Sequence, residues 1–285
     1  MKKELMKKTL LNAIMAIFAM PLLAHVGSAA PEDAAAAPVA AYDFASVMAK
    51  IDQWVDKGYY PGAGLVLAQN GKKLLERYWG GYDQNTAVYI ASAGKWLAAA
   101  TVAAVCDEGK LNWDDPVSKW LPEFKDVKGK ATLRQLFAHT SGFPSYHKAP
   151  EKPDAYQTLE EAVAHIAPLL PAAAPGERWE YGGLAMQVGG RMAEQATGKS
   201  FDELFQEKIA HPLGMTNTHF TPVDPSHGHS PMLGGGARST VHDYSRFLAM
   251  ISADGLFEGK RILSTAAIAR MQANQVGSAA VDFQT

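Results

Sequence analysis

The stretch from Ala93 to Glu108 is the strongest single constraint on this chain. It is dominated by Ala and Val, contains no Pro, and carries its only Gly, Gly94, near its start. Ala has the highest intrinsic helix propensity, so the run predicts a long helix, with Gly109 placed to end it in the left-handed conformation. Upstream, the apolar runs 63–68 and 73–79 flank Asn70-Gly71. A two-residue turn with positive φ at both positions is best served by Asn-Gly, so this segment predicts a β-hairpin. Phe44, Val47, Met48, Ile51, Trp54 and Val55 recur at helical spacing and predict a helix that stops at Gly58. Helices are also predicted over 132–139, 157–169, 183–197, 201–210, 240–252 and 264–273, the fourth of them ending at His211-Pro212. Pro171–Gly176 reads as a loop. Because strands and helices do not alternate, the class is α+β rather than a doubly wound sheet.

The chain has 285 residues, of which 47% are hydrophobic and 20% charged. That balance supports one large domain or two closely packed lobes. A formal net charge of -2 gives no basis for a nucleic-acid partner. Cys106 is the single cysteine, which excludes an internal disulfide; in an Ala/Val-rich helix it reads as a buried structural thiol. The first 30 residues differ from the rest. Lys2, Lys3, Lys7 and Lys8 are followed by an apolar run from Leu10 to Ala24 and then by Gly27, Ser28, Ala29 and Ala30. This is the order of a secretory signal peptide, and the apolar run is short of the about 20 residues a membrane span needs. An uncleaved N-terminal anchor is the alternative. Residues 31–41 read as a flexible Pro/Ala spacer. The expected organisation is a signal peptide over 1–30, a spacer over 31–41 and one globular domain over 42–285, periplasmic or secreted, with no span in the mature form.

Ser92-Ala93-Gly94-Lys95 opens the Ala-rich helix. Residues three apart share a helix face, so the Lys95 amine can sit over the Ser92 hydroxyl. A serine hydroxyl needs an adjacent base to act as a nucleophile, and a lysine serves when desolvation or a helix N-terminus lowers its pKa. The same helix start offers the Ser92 N–H as one oxyanion donor. A helix-capping serine beside a solvated lysine would read the same way from these residues alone.

Several further segments occur in a fixed order: Cys106-Asp107-Glu108-Gly109-Lys110-Leu111; Asp114-Asp115-Pro116; Leu133-Arg134-Gln135-Leu136-Phe137-Ala138-His139-Thr140-Ser141-Gly142; Pro175-Gly176-Glu177-Arg178-Trp179-Glu180-Tyr181; His211-Pro212-Leu213-Gly214-Met215; and Gly234-Gly235-Gly236. Together with Ser-x-x-Lys, this series resembles the serine β-lactamase and penicillin-binding protein superfamily, in particular its branch of class C β-lactamases, D-Ala-D-Ala carboxypeptidases and family VIII esterases. The resemblance runs from about Phe44 to the end of the chain. It implies a β-lactamase/transpeptidase-like fold, an antiparallel sheet with a mostly helical lobe. It also implies Ser92 as nucleophile, Lys95 and Tyr181 as proton-handling partners, no cofactor, and a small ester or peptide substrate. The oligomeric state is open.

Two departures from the family pattern matter. The second motif, Tyr-x-Asn, reads Tyr181-Gly182-Gly183 here. Without the amide of that asparagine, β-lactam turnover is less expected than ester or peptide hydrolysis. No Lys-Thr-Gly or related third motif follows the glycine-rich loop, so the expectation is that the C-terminal sheet strands are missing from this sequence. A non-catalytic binder of cell-wall peptides is the rival reading. Trp179, Gly182 and Gly183 are expected to line the substrate pocket. His139 is expected to be a buried, hydrogen-bonded structural histidine, and Gly94 to relieve crowding. Asp114 and Asp115 are expected to brace a turn. His211, His219, His227 and His229 match no zinc spacing, so no metal is expected.

Overall fold

The computed structural model describes residues 42–149, 151–226 and 228–281, and the signal-peptide and spacer expectations lie outside them. The chain divides into two compact units, Met1–Ala45 and Ser46–Thr285. Of the first, residues 42–45 are described, and there the Tyr42 ring stacks on Phe44 at 5.8 Å. The other described residues belong to the second unit.

Its first helix, α1 (Ala45–Asp56), leads into a hairpin of β1 (Gly62–Gln69) and β2 (Lys72–Gly80). The strands pair antiparallel, with Leu67 opposite Leu75 and Ala63 opposite Trp79. Asn70 and Gly71 make the turn at φ 51° and 72°, the conformation for which the Asn-Gly pair argues. The hairpin is fastened by polar contacts. Trp79 Nε1 donates to Asp52 on α1 at 2.6 Å, and Glu76 faces His242 at 3.3 Å.

A two-residue strand, β3 (Val88–Tyr89), precedes the long helix α2 (Gly94–Asp107). Leu97, Ala98, Ala100, Thr101, Val102, Ala103, Ala104 and Val105 are all buried, so α2 is enclosed by protein on nearly every side. It ends in a Schellman motif. Gly109, at φ 71°, donates to Cys106 O, and the Lys110 N–H reaches Val105 O. Cys106 is half-buried, and burial pushes its thiol up to about 12, which removes thiolate reactivity.

Against α2 pack α6 (Leu184–Thr197) and α7 (Phe201–Phe205), and against α6 in turn pack α3 (Val117–Trp120), α4 (Leu133–Phe137) and α5 (Leu159–Ile166). Side-chain caps start most of them. Thr132 with Gln135 and Ser200 with Glu203 form capping boxes, and Thr158 caps α5. Asp115 braces its turn by accepting from Asn112 N, Lys119 Nζ and Trp120 Nε1. The helix expected to end at His211-Pro212 ends at Leu213, one residue on, with Gly214 as its left-handed cap. A π-helical turn over Gln206–Ala210 carries it into α8 (His211–Leu213).

The other strands are short. Beyond β4 (Arg178–Trp179) come β5 (His219–Phe220) and β6 (Ala237–Ser239), and β6 lies between β3 and β5 in an antiparallel sheet. The chain continues through α9 (Val241–Ser252), the β7 (Leu256–Phe257) and β8 (Lys260–Arg261) hairpin, α10 (Thr265–Gln272) and β9 (Ala280–Val281). β4 and β9 pair parallel, whereas every other pairing among the described residues is antiparallel. The α+β class therefore holds, with the sheet divided into small pieces. Among the described residues no helix is long and apolar enough to cross a membrane.

Candidate active site

Ser92 lies in a 3₁₀ turn, Ala91–Ala93, that runs directly into α2. Ala91 stands at φ 49°, a conformation that costs an alanine energy and that turns the chain sharply into the helix. Gly94 follows because β6 crosses here; a Cβ on it would stand 2.7 Å from the Ala237 Cβ. Crowding beside the site is thus the physical reason for a glycine in a helical position.

Two donors converge on the Ser92 hydroxyl. Lys95 Nζ, one turn along α2, donates to Oγ at 3.2 Å. The Tyr181 hydroxyl, 89 residues away in sequence, donates to it at 2.7 Å. Lys95 is held in place by a second bond, to the carbonyl of Gly234, and its ammonium stands 4.7 Å from the centre of the Tyr181 ring. Gly234 in turn packs on Gly183, where an added Cβ would come within 2.9 Å of the Gly183 Cα. The glycine-rich loop is therefore part of the site, and its role is close backbone approach.

Behind Tyr181 lies His139. The two rings are 4.8 Å apart, and His139 stands at φ 60°. The expectation of a hydrogen-bonded histidine is corrected at one atom, since Nδ1 is buried without a partner. Burial, and then the charge of Lys95, bring its pKa from 6.5 down to about 4, so the ring is neutral at ordinary pH. Trp179 packs on the same group, 6.1 Å from His139 and 6.0 Å from Tyr181. It supports the tyrosine from behind and is not among the residues of the cleft wall.

A cleft opens over Ser92, bounded by Lys95, Tyr181, Gly182, Gly183, Gly234 and Gly235. Its far wall was not legible beforehand. Tyr89 from β3, and Tyr146, Lys152 and Asp154 from the loop before α5, complete it. Tyr89 immediately precedes Ile90-Ala91-Ser92, which was the only sequence signal for that wall. Among the described residues no cluster of three or more His, Cys, Asp or Glu side chains could hold a metal.

The sequence profile of the beta-lactamase family matches residues 47–284. The chain belongs to that family. A provisionally named beta-lactamase from Bacteroides dorei DSM 17855 superposes with a TM-score of 0.80 at 51% identity, over 86% of this chain and 74% of that one. A family VIII carboxylesterase superposes with a TM-score of 0.69 at 22% identity, over 81% of this chain and 75% of the other, a likeness of fold alone. In Escherichia coli (strain K12), a provisionally named D-alanyl-D-alanine carboxypeptidase is 31% identical over 204 residues, 61% of this chain and 46% of that protein. The chain spans less than half the length of that curated relative. The β-lactamase/transpeptidase-like fold expected from the motifs is thereby the fold observed, and the family is one of hydrolases.

Proposed function

We propose that this chain is an exported serine hydrolase that forms an acyl-enzyme on Ser92. One observation carries the reading: Lys95 and Tyr181, from distant parts of the sequence, both place a polar hydrogen on the Ser92 oxygen. Nothing in helix capping calls for that second contact, whereas nucleophilic catalysis does. With the pair one proton short, as a Lys95 amine or a Tyr181 phenolate, Ser92 Oγ attacks the substrate carbonyl and its proton passes to that group. The same pair returns a proton to the departing oxygen or nitrogen, and water then releases the acid. The Ser92 N–H at the start of α2 is one donor for the tetrahedral oxyanion.

The substrate class follows from what the site lacks beside Ser92. Gly183 stands where the family's second motif has an asparagine, so no side-chain amide reaches the substrate from that position. This favours ester or general acyl hydrolysis first, peptide hydrolysis second and β-lactam hydrolysis third. Fold likeness does not choose among them, because one fold hosts all three.

The test is the intact mass of the protein after exposure to an activated phosphonate, with Ser92→Ala alongside. A single adduct in the parent chain and none in Ser92→Ala is the expected result. An unlabelled parent that binds cell-wall peptide with undiminished affinity after Ser92→Ala would replace the hydrolase with a binding protein. The same spectrum reads export, since a mature chain shortened by about 30 residues is the expected species from cells with an intact secretion pathway.

A further inference from the structure

Gln187 is a polar residue on the first turn of α6, and it has no solvent contact. A buried amide destabilises a fold unless its donor and its acceptor are both met. Here one loop meets both. Gln187 Nε2 donates to Pro231 O at 2.8 Å, and Gln187 Oε1 accepts from Leu233 N at 2.6 Å. These partners fix which way the amide points, since a peptide carbonyl can only accept and a peptide N–H can only donate. The next residue along the loop is Gly234, whose carbonyl holds the Lys95 ammonium.

The grip on the loop follows one stripe of α6. Gly183 at its N-cap, Gln187 and Gly190 are spaced i, i+4 and i+7, and so share a helix face. Gly183 meets the backbone of Gly234, as described above. At Gly190 a Cβ would stand 2.1 Å from Leu233 Cδ1, so a glycine is what admits that fully buried leucine. Gln187 lies between these two close approaches and supplies the polar link. Packing sets how near the loop comes; the two hydrogen bonds set its register along the helix, because each requires its own pair of atoms within about 3 Å.

The far end of the loop is fastened separately. Gly236 O accepts from Thr221 N at 3.1 Å and from Thr221 Oγ1 at 3.0 Å, and Met232 N donates to Thr221 O at 3.1 Å. Gly234 is thus suspended between Thr221 and Gln187. The N-cap of α6 is also only two residues beyond Tyr181. One helix therefore places both groups that act on the Ser92–Lys95 pair: the Tyr181 hydroxyl directly, and the Gly234 carbonyl through Gln187.

We propose that Gln187 is a positioning residue for hydrolysis: its side-chain amide locks the 231–234 loop to α6 and so holds the Gly234 carbonyl on Lys95 in register with Tyr181. This rests on the hydrolase reading and adds to it a residue that is not among those of the cleft wall.

The test is the rate at which Ser92 is phosphonylated by a p-nitrophenyl alkylphosphonate, followed as released p-nitrophenol over a range of probe concentrations. This separates the maximal rate from the half-saturating concentration. Far-UV circular dichroism and urea midpoints report whether each variant is folded. Gln187→Met keeps the length and bulk of the side chain and removes the amide. Misplacing a reacting group by about 1 Å costs on the order of a hundredfold, so the maximal rate is expected to fall about tenfold or more, with the half-saturating concentration within about twofold. A loss of stability alone would leave the rate per folded molecule unchanged. Gln187→Glu is the conservative variant. Its neutral acid form can donate to Pro231 O and accept from Leu233 N, whereas its carboxylate can only accept. Its rate relative to the parent chain is therefore expected to fall as pH rises and the carboxyl ionises. Gln187→Met labelled at the parent's maximal rate, or slowed only through the half-saturating concentration, overturns the proposal and leaves the hydrolase standing. If that variant does not fold, a ratio of Gln187→Glu to parent that is constant with pH overturns it. A parent chain that is not phosphonylated overturns the hydrolase reading and this proposal with it.

Discussion

The α2 core and the α1–hairpin layer are built on opposite plans. Around α2 the apolar side chains are enclosed. Leu97, Val102, Leu133, Leu136, Leu184 and Phe201 have no solvent contact. In the other layer α1 contributes no buried residue, and Trp54, part of its apolar stripe, is 39% exposed. Only Gly62 and Trp79 of the two strands are buried. Polar links take over there: Trp79 to Asp52, Arg77 to Asp52 at 3.5 Å, and Glu76 to Lys73, Tyr78 and His242. Ser92 and Lys95 sit on the well-packed side of this divide, on a helix that cannot shift without disturbing the whole core. A catalytic pair needs placement to a fraction of an ångström, and close packing supplies it.

Three experiments would sharpen or break this contrast. The largest effect is expected from truncation in the core. Leu97→Ala should cost about 3–4 kcal/mol, and Leu67→Ala in the hairpin about 1 kcal/mol, read from denaturant midpoints at constant m. Equal costs would mean that the two layers are packed alike. The next effect concerns acid. His139 is held at about 4, below its ordinary 6.5, so the folded protein keeps it neutral while the unfolded chain protonates. Its stabilising contribution is complete above pH 6.5 and is lost as pH falls toward 4, by about 3 kcal/mol. His139→Phe keeps a ring against Tyr181 and should flatten stability across that window; an unchanged slope would place the acid sensitivity elsewhere. The smallest effect belongs to the hairpin. Lys73 first, and then Tyr78, hold Glu76 at about 2 against an ordinary 4.5. That contribution is complete above pH 4.5 and is lost as pH falls toward 2, so the hairpin yields at lower pH than the core. Glu76→Gln should remove the dependence below pH 4.5 at a cost of less than about 1 kcal/mol near neutrality. A loss as large as that of Leu97→Ala would show that polar fastening matches hydrophobic burial here.

Much of the fold could be read in advance, for local reasons. The α2 helix with its Gly109 end, the Asn70-Gly71 hairpin and helices such as Leu184–Thr197 each announce themselves by composition or spacing within one element. The strands β3, β5 and β6 did not, because two or three residues are too few to show a period. Within the site, Ser92 and Lys95 could be paired by helical spacing alone. Tyr181 was reached only through resemblance, since no local rule brings together residues 89 positions apart.

What the sequence by itself determined is therefore the set of elements and the Ser92–Lys95 pair, because both depend on interactions within a few residues along the chain. Tertiary structure decided the rest. It brought Tyr181 to Ser92, gave Lys95 the Gly234 carbonyl, left His139 Nδ1 buried without a partner, and put Tyr89, Tyr146 and Lys152 on one wall. Each of these is a distance between segments far apart in sequence, and such distances are set by how helices and glycine-rich loops pack, which no stretch of the chain specifies alone.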